Sequence, residues 1–174
     1  MRKIIHAIIF LLKRLVWSKE KIARSLGVKI GKNCSIASLG FGSEPYLITI
    51  GNHVQITGDV KFFNHGGAWV IRDKDPKFDF FGKIEVGNNV YIGNAAMILP
   101  GVVIGDNVII AANTVVTKSV DSNSIVAGNP GKVVGTVDSF YEKMEPFNLK
   151  SKGLKADQKR DFLLSLDENK FIRK

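Results

Sequence analysis

The chain has 174 residues, 45% of them hydrophobic and 24% charged, with a formal net charge of +9. That is the composition of one ordinary folded domain with appended arms, and a single cysteine excludes an internal disulfide framework and fits a reducing cytoplasm. The charge does not make a nucleic-acid surface: residues 1–32 hold nine Lys/Arg against one acid and residues 141–174 nine against six, but residues 33–140 hold seven against nine, with no basic–aromatic pattern.

The first predicted element is an arm, residues 1–27. Its apolar run, Ile4 to Leu12, covers nine residues, whereas a membrane span needs about 20. Lys13-Arg14 follow where a secretory leader would need a small-residue cleavage site. The spacing predicts a helix over residues 3–25, apolar on a broad face and basic elsewhere. Two placements stay open for residues 1–25: on the anionic inner face of a membrane, or packed on the main domain or a neighbouring subunit.

The main domain, residues 28–137, has a period of six. Val86, Ile92, Ile98, Ile104, Ile110 and Val116 are all aliphatic, and four places after each comes a small or β-branched residue, from Val90 to Val120. Turn-formers such as Asn88-Asn89, Asn94 and Asp106-Asn107 fall between. A helix repeats at 3.6 and a plain strand at two, so the pattern predicts short strands joined at corners. Gly and Asn are expected at the corners because they tolerate positive φ. Hexapeptide periodicity is a signature of a parallel β-helix. Three hexapeptides make one 18-residue coil, so residues 86–103 and 104–121 read as two coils, each covered by its neighbours. The register reaches back through Phe62, Ile56 and Ile50. Ile36 and Ile30 are out of step by two, a shift assigned to Ser38–Leu47. Cys34 sits at a small core position.

The register fails between Phe62 and Val86. Lys74 and Phe80 cannot serve as inward residues, so residues 66–83 are expected to loop out and return in phase, with Gly66-Gly67 freeing the exit. His65 stands at the foot of that loop. His53 falls in the corner slot that Asn33, Asn89 and Asn107 occupy elsewhere. The C-terminal extension, 138–174, shows helix-like spacing of Phe162, Leu163 and Leu166 and reads as a cap on the stack.

The segments IGNAAMILPGVVIGDNVIIAANTVVTK and SIVAGNPGKVV carry a resemblance. The chain resembles the bacterial hexapeptide-repeat acetyltransferases over roughly residues 20–137, and FGSEPYLITIGNHV with FFNHGGAWVIRD look like the branch that acetylates surface polysaccharide or sugar intermediates. The resemblance implies an all-β solenoid, a left-handed parallel β-helix with N- and C-terminal helical arms. The hand comes from the family alone, since crossovers are ordinarily right-handed. It also implies acetyl-CoA as co-substrate, no metal, a homotrimer with sites between subunits, and O-acetylation of a saccharide hydroxyl in the cytoplasm.

By the same resemblance His65 is the general base, a role that suits imidazole, which titrates near pH 6.5. Asn94, Ala112, Thr117, Lys118 and Lys132 match CoA-binding positions. Main-chain groups at Ala112 would meet the pantetheine, Lys118 and Lys132 the phosphates, and the Asn94 amide the thioester carbonyl. Lys132 stands where relatives often have Arg. On the acceptor side, Glu44 touches the acceptor or orients the histidine, and Trp69 stacks on a sugar or anchors the loop. Other readings remain: N-acetylation of an amino-sugar nucleotide, a non-catalytic scaffold, or a zinc lyase, which would need three histidines where this domain has only His53 and His65.

Overall fold

The computed structural model describes residues 16–173. It divides into two compact units, Met1–Val137 and Asp138–Lys174.

A short helix, α1 (Lys19–Ser25), leads into the first unit. Ser18 is extended (φ −61°, ψ 152°), and its side chain accepts the Lys21 amide as an N-cap. Glu20 in the first turn pairs with Arg24 in the last, and Ile22 and Ala23 are buried. Arg24 also donates to the carbonyls of Ile30 and Gly31, which ties α1 to the first strands. The continuous helix expected over residues 3–25 is therefore broken at Ser18, because the cap cannot be helical. The part of that expectation on residues 1–15 lies outside the described residues.

Thirteen short strands follow: β1 (Lys29–Ile30), β2 (Ser35–Ile36), β3 (Ile48–Ile50), β4 (Gln55–Ile56), β5 (Lys61–Phe62), β6 (Ile84–Val86), β7 (Val90–Ile92), β8 (Met97–Ile98), β9 (Val103–Ile104), β10 (Val108–Ile110), β11 (Val115–Val116), β12 (Ser124–Ala127) and β13 (Lys132–Thr136). A four-residue helix, α2 (Ala68–Ile71), falls between β5 and β6. The strands form three sheets visited in rotation. The first is β1-β3-β6-β9, the second β2-β4-β7-β10-β12, and the third β5-β8-β11, all parallel; β13 adds antiparallel to β12.

The pairing register measures each circuit of the three sheets. In the first sheet Ile30 pairs with Ile50, Ile50 with Val86, Val86 with Ile104, and Ile104 with Val120. The steps are 20, 36, 18 and 16 residues, and the second sheet repeats them from Ile36 to Val126. The first circuit thus holds two extra residues in segment 38–47, and the second holds one further circuit's length of chain as the excursion before β6. The last circuit closes two residues early, with Val120 in the Ile104 column. Residues 104–121 are therefore not a full 18-residue coil as the six-residue period suggested.

The circuits bury one apolar side chain per sheet, except that Ile36 in the first circuit is only partly buried. Ile50, Ile56, Ile92, Ile98, Ile104 and Ile110 are no more than 2% exposed, and burying each contributes about 1.5–3 kcal/mol. Residues two places earlier, such as Val54, Val90, Ala96, Val102 and Val108, complete the interior, and Cys34 packs at its margin. Phe41 fills the third column of the first circuit and stacks on Phe62, with ring centroids 5.3 Å apart.

The corners follow two rules rather than the single one expected. Asn33, His53, Asn89, Asn107 and Asn123 adopt φ of 54–60°, the left-handed region that Asn visits most readily. They bond up the stack: Asn89 Oδ1 meets His53 Nδ1 at 2.8 Å, and the Asn89 amide donates to Asn107, whose amide donates to Asn123. Gly101 also takes a positive φ, +80°, but the repeat glycines Gly51, Gly87, Gly93 and Gly105 have ordinary φ. They are needed for close approach between circuits, since a Cβ on Gly51 would lie 2.5 Å from the Gly87 carbonyl oxygen.

The second unit contains α3 (Val137–Met144), which begins at the boundary, and α4 (Ala156–Leu164), with 3-10 turns at Glu145–Phe147 and Glu168–Lys170. The helix signalled by Phe162 and Leu163 is thus present, and it ends before Leu166.

Candidate active site

The third sheet ends at a corner where three circuits place His65, Leu99-Pro100 and Thr117-Lys118 after β5, β8 and β11. The register Phe62–Ile98–Val116 sets them one above another. Adjacent strands are about 4.8 Å apart, so His65 and Lys118 are separated by roughly 10 Å along the stack.

Two features build the surroundings of His65. The two extra residues of the first circuit let segment 38–47 swing outward: Gly42 adopts φ +67°, and the 3-10 turn Pro45–Leu47 starts with Glu44 as its cap residue. This brings Glu44 Oε2 to 3.3 Å and Ser43 Oγ to 3.0 Å from His65 Nε2, and Ser43 Oγ lies 3.1 Å from Glu44 Oε2. The Glu44 side chain is 17% exposed and that of His65 39%, so the carboxylate is partly sheltered while the imidazole remains reachable. Of the two roles left open for Glu44, the histidine contact is the one seen.

The second feature is the excursion after His65. Gly67, at φ +74° with nothing near its Cβ position, lets the chain leave the stack. Helix α2 follows, Arg72 holds the far side through the Phe78 carbonyl and Asp79, and Phe81 meets the His65 ring edge-on with centroids 5.4 Å apart. An apolar groove of about 480 Å³ opens beside the imidazole, lined by Phe63, His65, Gly66, Phe80, Met97, Leu99 and Pro100. Trp69 is 82% exposed and is not among the residues that line the groove. Asp75 and Asp79 accept amides of their own loop, from Lys77 and Phe80.

The five positions matched to CoA binding fall in two places. Thr117, Lys118 and Lys132 line one groove of about 370 Å³ with Ser119, Pro130 and Gly131. The turn from β12 to β13 supplies Pro130 to Lys132. Both lysines are exposed and neither has an ion-pair partner among the described residues. Two free ammonium groups with a threonine hydroxyl suit a phosphorylated ligand. Asn94 and Ala112 lie together at a different corner, between the second and third sheets, where Asn94 Oδ1 accepts the Gly58 amide and its carbonyl accepts the Asn113 amide. One chain therefore does not unite all five.

Sequence reasoning missed Ser43 and Phe81. Ser43 adjoins Glu44, but it lies in a segment without repeat, so nothing signalled its direction. Among the described residues no group of three or more His, Cys, Asp or Glu is placed to hold a metal, and no helix is long and apolar enough to cross a membrane.

Comparison with known proteins gives this geometry a family. The model described as bacterial transferase hexapeptide (six repeats) matches residues 83–118. Protein CapG of Staphylococcus aureus is 46% identical over 159 residues, covering 88% of this chain and 92% of that protein. Galactoside O-acetyltransferase of Escherichia coli (strain K12) is 36% identical over 97 residues, covering 55% of this chain; the chain spans 47% of that relative. Among solved structures, a hexapeptide-repeat containing acetyltransferase of Vibrio cholerae O1 biovar eltor, complexed with acetyl coenzyme A, superimposes with a TM-score of 0.53 at 26% identity, covering 64% of this chain and 61% of that one.

Proposed function

Because the chain belongs to the bacterial hexapeptide-repeat acetyltransferases, we propose that it transfers acetyl from acetyl-CoA to a sugar hydroxyl of a surface polysaccharide or its precursor, with His65 as general base. The observation that carries this reading is the contact of His65 with Glu44 and Ser43 at the edge of an apolar groove. An imidazole backed by a carboxylate can take a proton and be stabilised once charged.

Acetyl-CoA supplies an activated acetyl thioester. Lys118 and Lys132 would hold its phosphates, with Thr117 beside them. Asn94 and Ala112 would serve the same ligand from a neighbouring subunit; the homotrimer and the left hand of the β-helix are carried over from the family resemblance. Glu44 steadies His65, and Trp69, projecting from the excursion, is available to a bulky saccharide. Residues 1–25 are a candidate contact with the inner face of the membrane.

The test is incubation of the purified chain with labelled acetyl-CoA and a panel of lipid-linked and nucleotide sugars. An alkali-labile acetyl ester, absent with His65→Ala, supports the reading. An alkali-stable amide would transfer it to an amino-sugar acceptor. Failure to bind acetyl-CoA by calorimetry would leave a scaffold.

A further inference from the structure

His65 meets two neighbours at one nitrogen. Ser43 Oγ is 3.0 Å from Nε2, Glu44 Oε2 is 3.3 Å from the same atom, and Ser43 and Glu44 are 3.1 Å apart. N–H···O hydrogen bonds span about 2.7–3.2 Å. Ser43 is thus the direct partner of the ring, and the carboxylate stands just behind it.

Proton counting then fixes the arrangement. An ionised carboxylate only accepts, and a serine hydroxyl has one hydrogen to give. Between Ser43 and Glu44 the hydroxyl must donate, so its hydrogen goes to Glu44. Ser43 Oγ can then only accept from His65, which requires a hydrogen on Nε2. Neutral imidazole carries one N–H, so Nδ1 holds the lone pair. The opposite tautomer would set the Nε2 lone pair against the carboxylate oxygen.

We infer that Ser43 is a positioning residue: with Glu44 it holds neutral His65 as the Nε2–H tautomer, so that Nδ1 is the atom that takes the acceptor's proton. This rests on the acetyl-transfer reading for its role and on geometry alone for the tautomer. In the step it serves, the acceptor O–H bond breaks and its proton moves to Nδ1. The oxygen electron pair forms the new C–O bond, the thioester C–S bond breaks with its electrons on sulfur, and the proton passes from Nδ1 to that sulfur. While His65 is charged, Nε2–H faces Ser43 and the Glu44 carboxylate, which oppose rotation of the ring.

The chain has three histidines, His6, His53 and His65, so nitrogen NMR of histidine-labelled full-length protein, without acetyl-CoA or acceptor, can be assigned by the signals that His65→Ala removes. At about pH 9, where imidazole is neutral, His65 should show a protonated Nε2 and an unprotonated Nδ1. Ser43→Ala, at an exposed position that leaves the core intact, should give mixed tautomers and lower kcat about ten-fold with the KM for acetyl-CoA unchanged. Ser43→Thr, which keeps the hydroxyl, should restore both. A wild-type ring protonated at Nδ1, or a Ser43→Ala protein with unaltered tautomer and kcat, overturns the inference. If the stated tautomer appears but no acceptor is acetylated, the proposed function fails and the tautomer assignment stands.

Discussion

Asn64 and Gly82 hold each other at two points. The Gly82 amide donates to the Asn64 carbonyl at 2.7 Å, and the Asn64 side-chain amide donates to the Gly82 carbonyl at 3.3 Å. This closes the excursion that begins at His65, so the chain re-enters the stack at β6 in register. Asn64 is 1% exposed, and its Oδ1 has no hydrogen-bond partner. A buried acceptor left unpaired costs about 1–3 kcal/mol, a cost the closure must offset.

Replacing Gly82 should open that closure. A Cβ there would lie 2.7 Å from the Pro100 carbonyl carbon, a backbone atom that cannot swing away. Gly82→Ala should free the excursion and detach Phe81 from His65. The expected result is loss of most acetyl transfer and faster proteolysis within residues 66–81, with a circular-dichroism spectrum close to that of the parent.

His65→Ala should lower kcat/KM for the acceptor by about 10²–10⁴-fold, the usual contribution of a general base. Its half-exposed ring supports little of the core, so the melting temperature should change little. Acetyl-CoA affinity by calorimetry should be unaltered, and a parallel loss of binding would remove His65 from the role of base.

Lys118→Ala and Lys132→Ala should each raise the KM for acetyl-CoA about ten-fold, equal to about 1.4 kcal/mol, with kcat nearly constant. Because both lysines are exposed, added salt should narrow the gap between parent and variants. Initial rates at two ionic strengths check this. Unchanged KM in both variants would take the CoA phosphates away from this groove.

If Asn94 and Ala112 act from a neighbouring subunit, mixed assemblies should complement. Co-refolding His65→Ala chains with Ala112→Trp chains, whose bulky side chain would block the pantetheine, should restore part of the activity, because an intact His65–Lys118 corner can then face an intact Ala112 corner on another chain. Mass spectrometry would verify the mixing, and persistent inactivity in verified mixed assemblies would count against shared sites.

Ile98→Ala should cost about 2–5 kcal/mol, because a fully buried side chain leaves a cavity between circuits. Trp69→Ala should fall within about 0.5 kcal/mol of the parent, as expected for an exposed position. Denaturant midpoints measure both. For Trp69 a raised acceptor KM without a stability change would mark a substrate contact.

The sequence alone determined what repetition encodes. The period of six set which side chains face inward from Val86 to Val116, and the failure at Lys74 and Phe80 located the excursion and His65 at its foot. His53 was legible as a corner residue because Asn occupies that slot in other circuits, and its φ of 55° agrees. The helix break at Ser18 and the short last circuit were less legible, since one polar residue or a two-residue deficit barely disturbs an apolar pattern.

Tertiary structure alone decided the chemistry around His65. Ser43 and Glu44 lie about twenty residues away in a segment with no repeat, and their approach depends on how two surplus residues bend at Gly42 and Pro45. It also decided why the repeat glycines are glycine, which is the distance between circuits rather than φ. Periodicity reports which way a side chain faces relative to its own strand. Contacts between circuits depend on the path of the irregular chain between strands, and that path is settled only when the stack assembles.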